Sequence, residues 1–130
     1  MKLCLFHIGE RLCAIPAEDV REVLHTPPVT VVPPGTVVRG LTSVRGRIVT
    51  VVDRAPDLLT ECRGDWLLVL DVPGRDVALL VDTMPTVEDV DAPRGAVPVH
   101  VEQRSARLLE GVLLAEVPVH VLRTEALVTA

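Results

Sequence analysis

Aromatic side chains are almost absent from this chain, which has one Phe, one Trp and no Tyr among 130 residues. Proteins that bind single-stranded nucleic acid stack the bases on several aromatic rings, so the composition argues against that class. The formal net charge of −5 argues against nucleic acid more generally, because phosphate binding requires an excess of positive charge. We therefore expect no nucleic-acid partner.

Cysteines and long apolar runs are also scarce. Cys4, Cys13 and Cys62 form neither a C-x-x-C pair nor a metal-ligand spacing, and we interpret them as reduced cysteines of a cytoplasmic protein. No window has the length and apolar purity of a membrane span, so we expect no direct insertion into a membrane. Any association with a membrane would then come through a partner.

The signatures of catalysis and of metal binding are missing as well. The histidines are isolated, no serine lies in a G-x-S-x-G setting, and no glycine-rich phosphate loop occurs. The acidic residues that follow Val81 lack the spacing of a calcium loop, and we interpret them as a solvated charged edge. These acidic residues are Asp82, Glu88, Asp89 and Asp91. We expect no catalytic residue, no cofactor and no metal, and hence not an enzyme.

Aliphatic residues, prolines and glycines are what the chain has instead. Hydrophobic residues make up 48% of it although aromatics make up only 2%, so the core must consist of Val, Leu, Ile and Ala. Residues branched at Cβ favour strands, and 11 prolines with 8 glycines provide frequent turns. The composition predicts an all-β domain of short strands.

The first fifteen residues predict a β-hairpin with its turn at Gly9-Glu10. In the register that places Ile8 opposite Arg11, Cys4 lies opposite Ile15 and Cys13 opposite Phe6, so no cross-strand disulfide is implied. The apolar residues on one face of this hairpin would be Cys4, Phe6, Ile8, Cys13 and Ile15.

The segment after the hairpin predicts a short helix. Pro16 and the acids at 18 and 19 suit the first turn of a helix. Helical spacing also relates Val20, Val23 and Leu24. The helix should end before Pro27, because proline disrupts a helix interior.

The second half of the chain repeats the first. Residues 67–81 again form a predicted hairpin, with Gly74 at the position of Gly9, and residues 111–122 resemble residues 40–52. The polar stretch 54–65 is the candidate linker between the halves, with a helical turn expected at residues 56–59. Two copies of a five-strand unit predict two small fused barrels that share one core.

The segment 40–53, GLTSVRGRIVTVVD, resembles the signature G-V-x-N-L-R-G-x-V-V-P-V-V-D of the CheW-like domain, found in chemotaxis adaptor (coupling) proteins. The segments FHIGERLCAIP and VREVL upstream, and LVLDVPGRDVALLVD and residues 111–122 downstream, resemble the family in the same order. The chain departs from the pattern at Ser43, Val44, Thr50 and Arg123, where the family commonly has Asn, Leu, Pro and Asp.

The resemblance implies an all-β fold of two fused five-stranded SH3-like barrels, with one short helix after the first hairpin. It implies a single CheW-like domain over 1–130, made of two intertwined β-barrel subdomains with approximate halves 1–60 and 66–130. The implied function is a non-catalytic adaptor that couples chemoreceptors to a CheA-type histidine kinase. Its implied partners are the cytoplasmic tip of the receptors, the regulatory domain of the kinase and other CheW-like domains. It would be cytoplasmic and recruited to receptor clusters.

The resemblance also implies site residues, carried over by motif. Four of them match positions used in receptor and kinase coupling, namely Val20, Glu22, Gly40 and Arg45. Met84 and Val87 match positions that line the receptor groove. Arg45 has two interpretations, a partner contact or an ion pair with a nearby acid such as Glu22. We expect Gly40→Asp or Arg45→Glu to weaken partner binding while the fold stays intact.

Two other functions remain open from the sequence. One is an accessory CheW-like protein that binds receptors or other CheW-like domains but not the kinase, which the altered Ser43-Val44 segment motivates. The other is a small-molecule-binding β-barrel, which would need convergent polar groups in a deep pocket between the halves.

Overall fold

The computed structural model describes residues 1–33, 37–91, 108–113 and 117–129, together with the backbone of 94–95. The described strands are β1 Lys2–Ile8, β2 Arg11–Pro16, β3 Val20–His25, β4 Thr30–Val31, β5 Val38–Val44, β6 Arg47–Val52, β7 Trp66–Val72, β8 Arg75–Val81, β9 Thr86–Asp89, β10 Arg94–Gly95, β11 Leu109–Leu113 and β12 Val119–Leu122. Short 3-10 turns occupy Ala17–Asp19 and Pro56–Leu58, and a one-turn helix, α1, occupies Thr124–Leu127. No helix of the described residues is long and apolar enough to cross a bilayer.

The strands form two six-stranded sheets. The first sheet has the order β10-β11-β12-β2-β1-β9, and the second has the order β3-β7-β8-β6-β5-β4. Each sheet has one parallel pair, β12 with β2 in the first and β6 with β8 in the second. The mostly β, SH3-like barrel architecture predicted from the sequence is confirmed. The six-stranded count differs from the predicted five because the two-residue strands β4 and β10 extend one edge of each sheet.

The first hairpin has the predicted register. Ile8 lies opposite Arg11, Cys4 opposite Ile15 and Phe6 opposite Cys13. All three cysteines are free thiols, and the predicted apolar face of the hairpin is buried. The register follows from a local signal, because the length of the turn at residues 9 and 10 fixes which residues of the two strands lie opposite each other. Both faces of the hairpin are apolar, and the second face packs in the core of the first sheet.

The predicted helix after this hairpin is wrong beyond its first turn. Only Ala17–Asp19 is helical, whereas Val20–His25 is strand β3, paired antiparallel with β7. Burial along β3 alternates with period two, since Val20 and its alternate neighbours are partly buried and the residues between them are exposed. The backbone hydrogen bonds offered by the buried strand β7, together with branching at Cβ, outweigh the helical spacing of the apolar residues.

The core has three parts. The largest cluster lies between the two sheets and takes Phe6 and Ile15 from the first sheet and Leu68 and Leu79 from the second. A second cluster, which includes Val51, is built only from strands of the second sheet. A third cluster, which includes Val121, is built only from strands of the first. Each sheet therefore curls around its own interior, and the two share an apolar layer.

Candidate partner-binding site

Arg45 occupies the tight turn between β5 and β6. Arg45 and Gly46 have φ values of +50° and +77°, the left-handed pair that a two-residue type I′ hairpin turn requires. The turn projects the Arg45 side chain outward, and 78% of that side chain is exposed.

Arg45 forms a bidentate ion pair with Glu22 on β3. Its Nε donates to both carboxylate oxygens at 3.0 Å, and its Nη2 donates to Oε1 at 2.7 Å. Strand β3 is one edge of the second sheet and the β5–β6 turn lies toward the other, so the contact shows that the sheet curls until its two ends meet. Of the two interpretations of Arg45 from the sequence, the ion pair with Glu22 is present in the structure.

Both members of this pair carry charge at neutral pH. The hydrogen bond from Arg45, aided by its positive charge, lowers the pKa of the Glu22 carboxyl below its ordinary value. The hydrogen bond to Glu22 correspondingly raises the pKa of Arg45. The pair therefore presents a fixed, charged feature on the surface, and we call it the Arg45–Glu22 pair.

Gly40 allows a close approach between backbones, as a glycine at this position suggests from the sequence. It is buried on β5, and a Cβ at this position would lie 2.2 Å from the Thr30 carbonyl oxygen and 2.7 Å from Val29 Cγ1. Any side chain here must displace β4 from β5. The expectation that Gly40→Asp leaves the fold intact is therefore wrong, and Gly40 is unsuitable for testing partner contacts.

Val20 is also largely a packing residue. It is only partly exposed and packs against the core between the sheets, next to a register shift in the β3–β7 ladder. The exposed positions of β3 are its neighbours, including Val23 at 37% and His25. His25 stacks on Trp66 with ring centroids 3.9 Å apart. This exposed face of β3 was missed from the sequence because β3 was interpreted as a helix.

Met84 and Val87 are both at the surface, with exposures of 64% and 61%. Val87 lies on the edge strand β9 opposite Cys4 of β1, and Met84 lies in the connection that precedes β9. The structure thus brings Glu22 and Arg45 together on the second sheet. It places Met84 and Val87 at the β9 edge of the first sheet, and we call these two residues the β9 surface.

Asp82 does not belong to the solvated acidic edge predicted from the sequence. Its carboxylate accepts hydrogen bonds from the backbone N–H groups of Gly9 at 2.5 Å, Arg63 at 2.7 Å and Gly64 at 2.9 Å. The residue joins the end of β8 to the first hairpin turn and to the loop before β7. Its partners are distant in sequence, so no local pattern could have shown this structural role.

Cys62 lies beside Asp82, with Sγ 3.5 Å from Oδ1. Burial, followed by the negative charges of Asp82 and Asp53, raises the pKa of the Cys62 thiol to about 12. Only the thiolate form of cysteine is nucleophilic. At about pH 8, on the order of one in ten thousand Cys62 side chains would be in the thiolate form.

We predict that iodoacetamide alkylates Cys62 at least about 100-fold more slowly than free cysteine at about pH 8. Mass spectrometry of the intact protein over time gives the rate. The Asp82→Asn variant should be alkylated faster, because it lacks the neighbouring negative charge. Alkylation of the folded wild-type protein at the rate of free cysteine would contradict the prediction.

No metal site emerges from the part of the chain that is described, where no group of three or more His, Cys, Asp or Glu side chains could hold an ion. A cavity of about 990 Å³ opens where the two sheets meet near α1, and its lining includes Asp19, Arg54 and Thr124. These groups already serve the fold, since Thr124 donates to Asp19 at 2.6 Å and Arg54 donates to main-chain carbonyls. Within the described residues, no buried side-chain nitrogen or oxygen lacks a hydrogen-bond partner, so the small-molecule interpretation gains no support.

Comparison with known proteins agrees with this architecture. The family model described as CheW-like domain matches residues 2–130. The crystal structure of the scaffolding protein TtCheW from Thermoanaerobacter tengcongensis superimposes with a TM-score of 0.82 and 21% sequence identity, covering 99% of this chain and 88% of that one. At this identity the likeness shows the same fold, and no curated protein matches significantly. Because the family model spans almost the whole chain, the protein belongs to the CheW-like domain family.

Proposed function

We propose that this chain is a non-catalytic adaptor that couples chemoreceptors to a CheA-type histidine kinase. Its proposed partners are the cytoplasmic tip of the receptors and the regulatory domain of the kinase, with other CheW-like domains as further partners. It would act in the cytoplasm at receptor clusters. Membership of the CheW-like family, whose members are scaffolds rather than enzymes, supports a binding role.

The observation that carries the proposal is the exposed Arg45–Glu22 pair. The type I′ turn and the bidentate contact hold a mostly exposed guanidinium in one orientation. Arginine is enriched in protein interfaces, and a side chain that is already ordered loses less conformational entropy when a partner binds. The pair therefore offers a prepared polar contact for a partner surface.

The β9 surface supplies a contact of the opposite kind. Met84 and Val87 are apolar side chains exposed beside an edge strand. Methionine adapts to irregular shapes, and an apolar strip of this kind suits the apolar face of a helix. A helical receptor tip could therefore pack on the β9 surface of the first sheet, whereas the Arg45–Glu22 pair lies on the second sheet.

Reversal of charge at Arg45 tests the proposal. We expect Arg45→Glu to weaken binding of a soluble receptor-tip fragment or of the kinase regulatory domain by about tenfold or more, a loss of about 1.4 kcal/mol. The double variant Arg45→Glu with Glu22→Arg should restore the internal ion pair but not the affinity, because the group that faces the partner stays reversed. Isothermal titration calorimetry against each partner measures both effects.

Arg47→Glu is the matched control, because Arg47 follows the same turn, is 68% exposed and pairs with Asp76 at 3.0 Å. The Arg47→Glu variant should bind each partner within about twofold of the wild-type affinity, because Arg47 is not among the residues proposed to contact a partner. Unchanged binding by folded Arg45→Glu, or full recovery in the double variant, would show that Arg45 makes no partner contact. Receptor binding without kinase binding at about 50 µM would identify the accessory role instead.

A further inference from the structure

The loop 54–65 connects β6 to β7 of the second sheet, and it contacts two parts of the first sheet, the β1–β2 turn and the segment after β12. The sequence predicted this polar stretch to be a linker between halves. The structure instead shows hydrogen bonds at several points along it to residues that flank strands of the other sheet. We call residues 54–65 the clasp.

One end of the clasp holds the segment after β12. The Arg54 side chain is 6% exposed, and its guanidinium donates to the carbonyls of Leu127 and Ala126, each at 2.8 Å, and to the carbonyl of Thr129. These carbonyls belong to α1 and to the residues just after it. A one-turn helix leaves its final carbonyls without partners inside the helix, and Arg54 satisfies them from the second sheet.

The middle and far end of the clasp hold the first hairpin. Arg11 Nε donates to the Leu58 carbonyl at 3.2 Å, and the Glu10 N–H donates to Thr60 Oγ1 at 3.2 Å. At the far end, Asp82 joins the backbone N–H of Gly64 to that of Gly9. The turn between β1 and β2 is thereby tied to the same loop that holds α1.

We propose that the clasp sets the relative orientation of the two sheets, and with it the spacing between the Arg45–Glu22 pair and the β9 surface. The layer between the sheets is apolar, and apolar burial stabilises contact without specifying direction. Hydrogen bonds to carbonyls and carboxylates are directional, so those of the clasp favour one orientation, together with the bonds from Arg75 to the Val128 carbonyl and from the Asp82 N–H to the His7 carbonyl.

The consequence for partner binding rests on the adaptor function proposed above. Two partners that also contact each other on one adaptor gain affinity only when the two surfaces of the adaptor are correctly spaced, and they lose that gain when the spacing varies. The clasp would therefore affect simultaneous binding of both partners more than binding of either one alone. Its residues act as positioning residues rather than as contacts.

The orientation is measured on the chain alone. Spin labels at Ile48→Cys on the second sheet and Glu88→Cys on the first, both exposed positions, report the distance between sheets by double electron–electron resonance. Labels at Ile48→Cys and Arg21→Cys report a distance within the second sheet. Cys4 and Cys13 are buried and Cys62 has a raised pKa, so the native cysteines can remain, and mass spectrometry verifies that two labels are attached.

The test variant combines Arg11→Met with Thr60→Val, which removes two hydrogen bonds of the clasp and leaves the buried Arg54 in place. We expect the distance distribution between sheets to become at least about twofold broader, while the distribution within the second sheet is unchanged. Arg47→Met, which removes an exposed ion pair outside the clasp, should alter neither distance. An unchanged distribution between sheets in the folded variant would overturn the proposal, as would equal broadening of both distances.

Binding gives the second measurement. The same variant should bind the receptor fragment and the kinase domain separately within about twofold of wild type, and form the three-component complex about tenfold more weakly. Equal losses for each single partner would overturn the positioning role. If the distances change as expected but the wild-type protein binds neither partner, the proposed adaptor function is wrong, whereas the proposed role of the clasp in orienting the sheets still holds.

Discussion

Replacing Arg54 with methionine is expected to lower the free energy of unfolding by about 3–5 kcal/mol, the range found when one member of a buried charged network is removed. The Arg54 side chain is 6% exposed and donates to Asp57 and to carbonyls of the C-terminal segment. Methionine fills part of the space but donates no hydrogen bond, so the carbonyls lose the guanidinium donor and Asp57, which is only 17% exposed, loses its ion pair with Arg54. Urea unfolding followed by circular dichroism measures the change.

The matched control is Arg21→Met. Arg21 pairs with Asp71 at 3.1 Å, but the two side chains are 47% and 57% exposed, so the variant should lose no more than about 1 kcal/mol. The loss of unfolding free energy in Arg54→Lys should lie between those of Arg54→Met and Arg21→Met. An ammonium group keeps the charge but cannot reproduce the planar fork of the guanidinium. A loss below about 1 kcal/mol in Arg54→Met would mean that water satisfies the released carbonyls and that Arg54 is not a main support of the clasp.

The parts of the fold that the sequence predicted are those fixed by neighbouring residues. The register of the first hairpin follows from its turn, and the predicted pairing of Cys4 with Ile15 is confirmed. The turn at Pro56–Leu58 and the hairpin of β7 and β8 are local in the same sense. Each depends on residues fewer than about twenty positions apart, where pattern and turn chemistry decide the outcome.

Strand β3 shows where such patterns mislead. Val20, Val23 and Leu24 fit a helical spacing, and Pro16 fits the first turn of a helix. A six-residue segment is too short for periodicity to separate helix from strand, and tertiary pairing decides. The pairing with β7, more than forty residues away in the chain, is invisible to any local pattern.

The candidate site was only partly predictable for a related reason. The Arg45–Glu22 pair joins residues 23 positions apart and was one of two interpretations of Arg45. The bonds from Arg54 to main-chain carbonyls span 72 to 75 positions, and the sequence places that residue only in a polar linker. A polar stretch has the same composition whether its groups face water or carbonyls of another sheet, so the clasp required the structure.

Asp82→Asn is expected to lower the free energy of unfolding by about 2 kcal/mol at neutral pH, since charged hydrogen bonds contribute more than neutral ones. Gly9 donates to Oδ2, whereas Arg63 and Gly64 donate to Oδ1. Whichever way the amide is turned, its NH₂ group faces a backbone N–H, and at least one backbone donor loses its acceptor. Urea unfolding of the two proteins at about pH 7 measures the difference.

The free energies of unfolding of the wild type and of Asp82→Asn should become similar in acid. Partial burial raises the pKa of Asp82, but hydrogen bonds from backbone N–H groups and from the Cys62 thiol outweigh it, so the pKa lies below its ordinary value of 3.8. A depressed pKa in the folded state gives stability that is complete above the unfolded value and lost as the pH falls through the folded value. The difference between wild type and Asp82→Asn should therefore shrink below about pH 4, whereas Asp71→Asn, at an exposed ion pair, should change stability little at either pH. If the difference in unfolding free energy between the two proteins stays constant as the pH falls, the geometry of the amide, and not the charge of Asp82, causes the loss of stability.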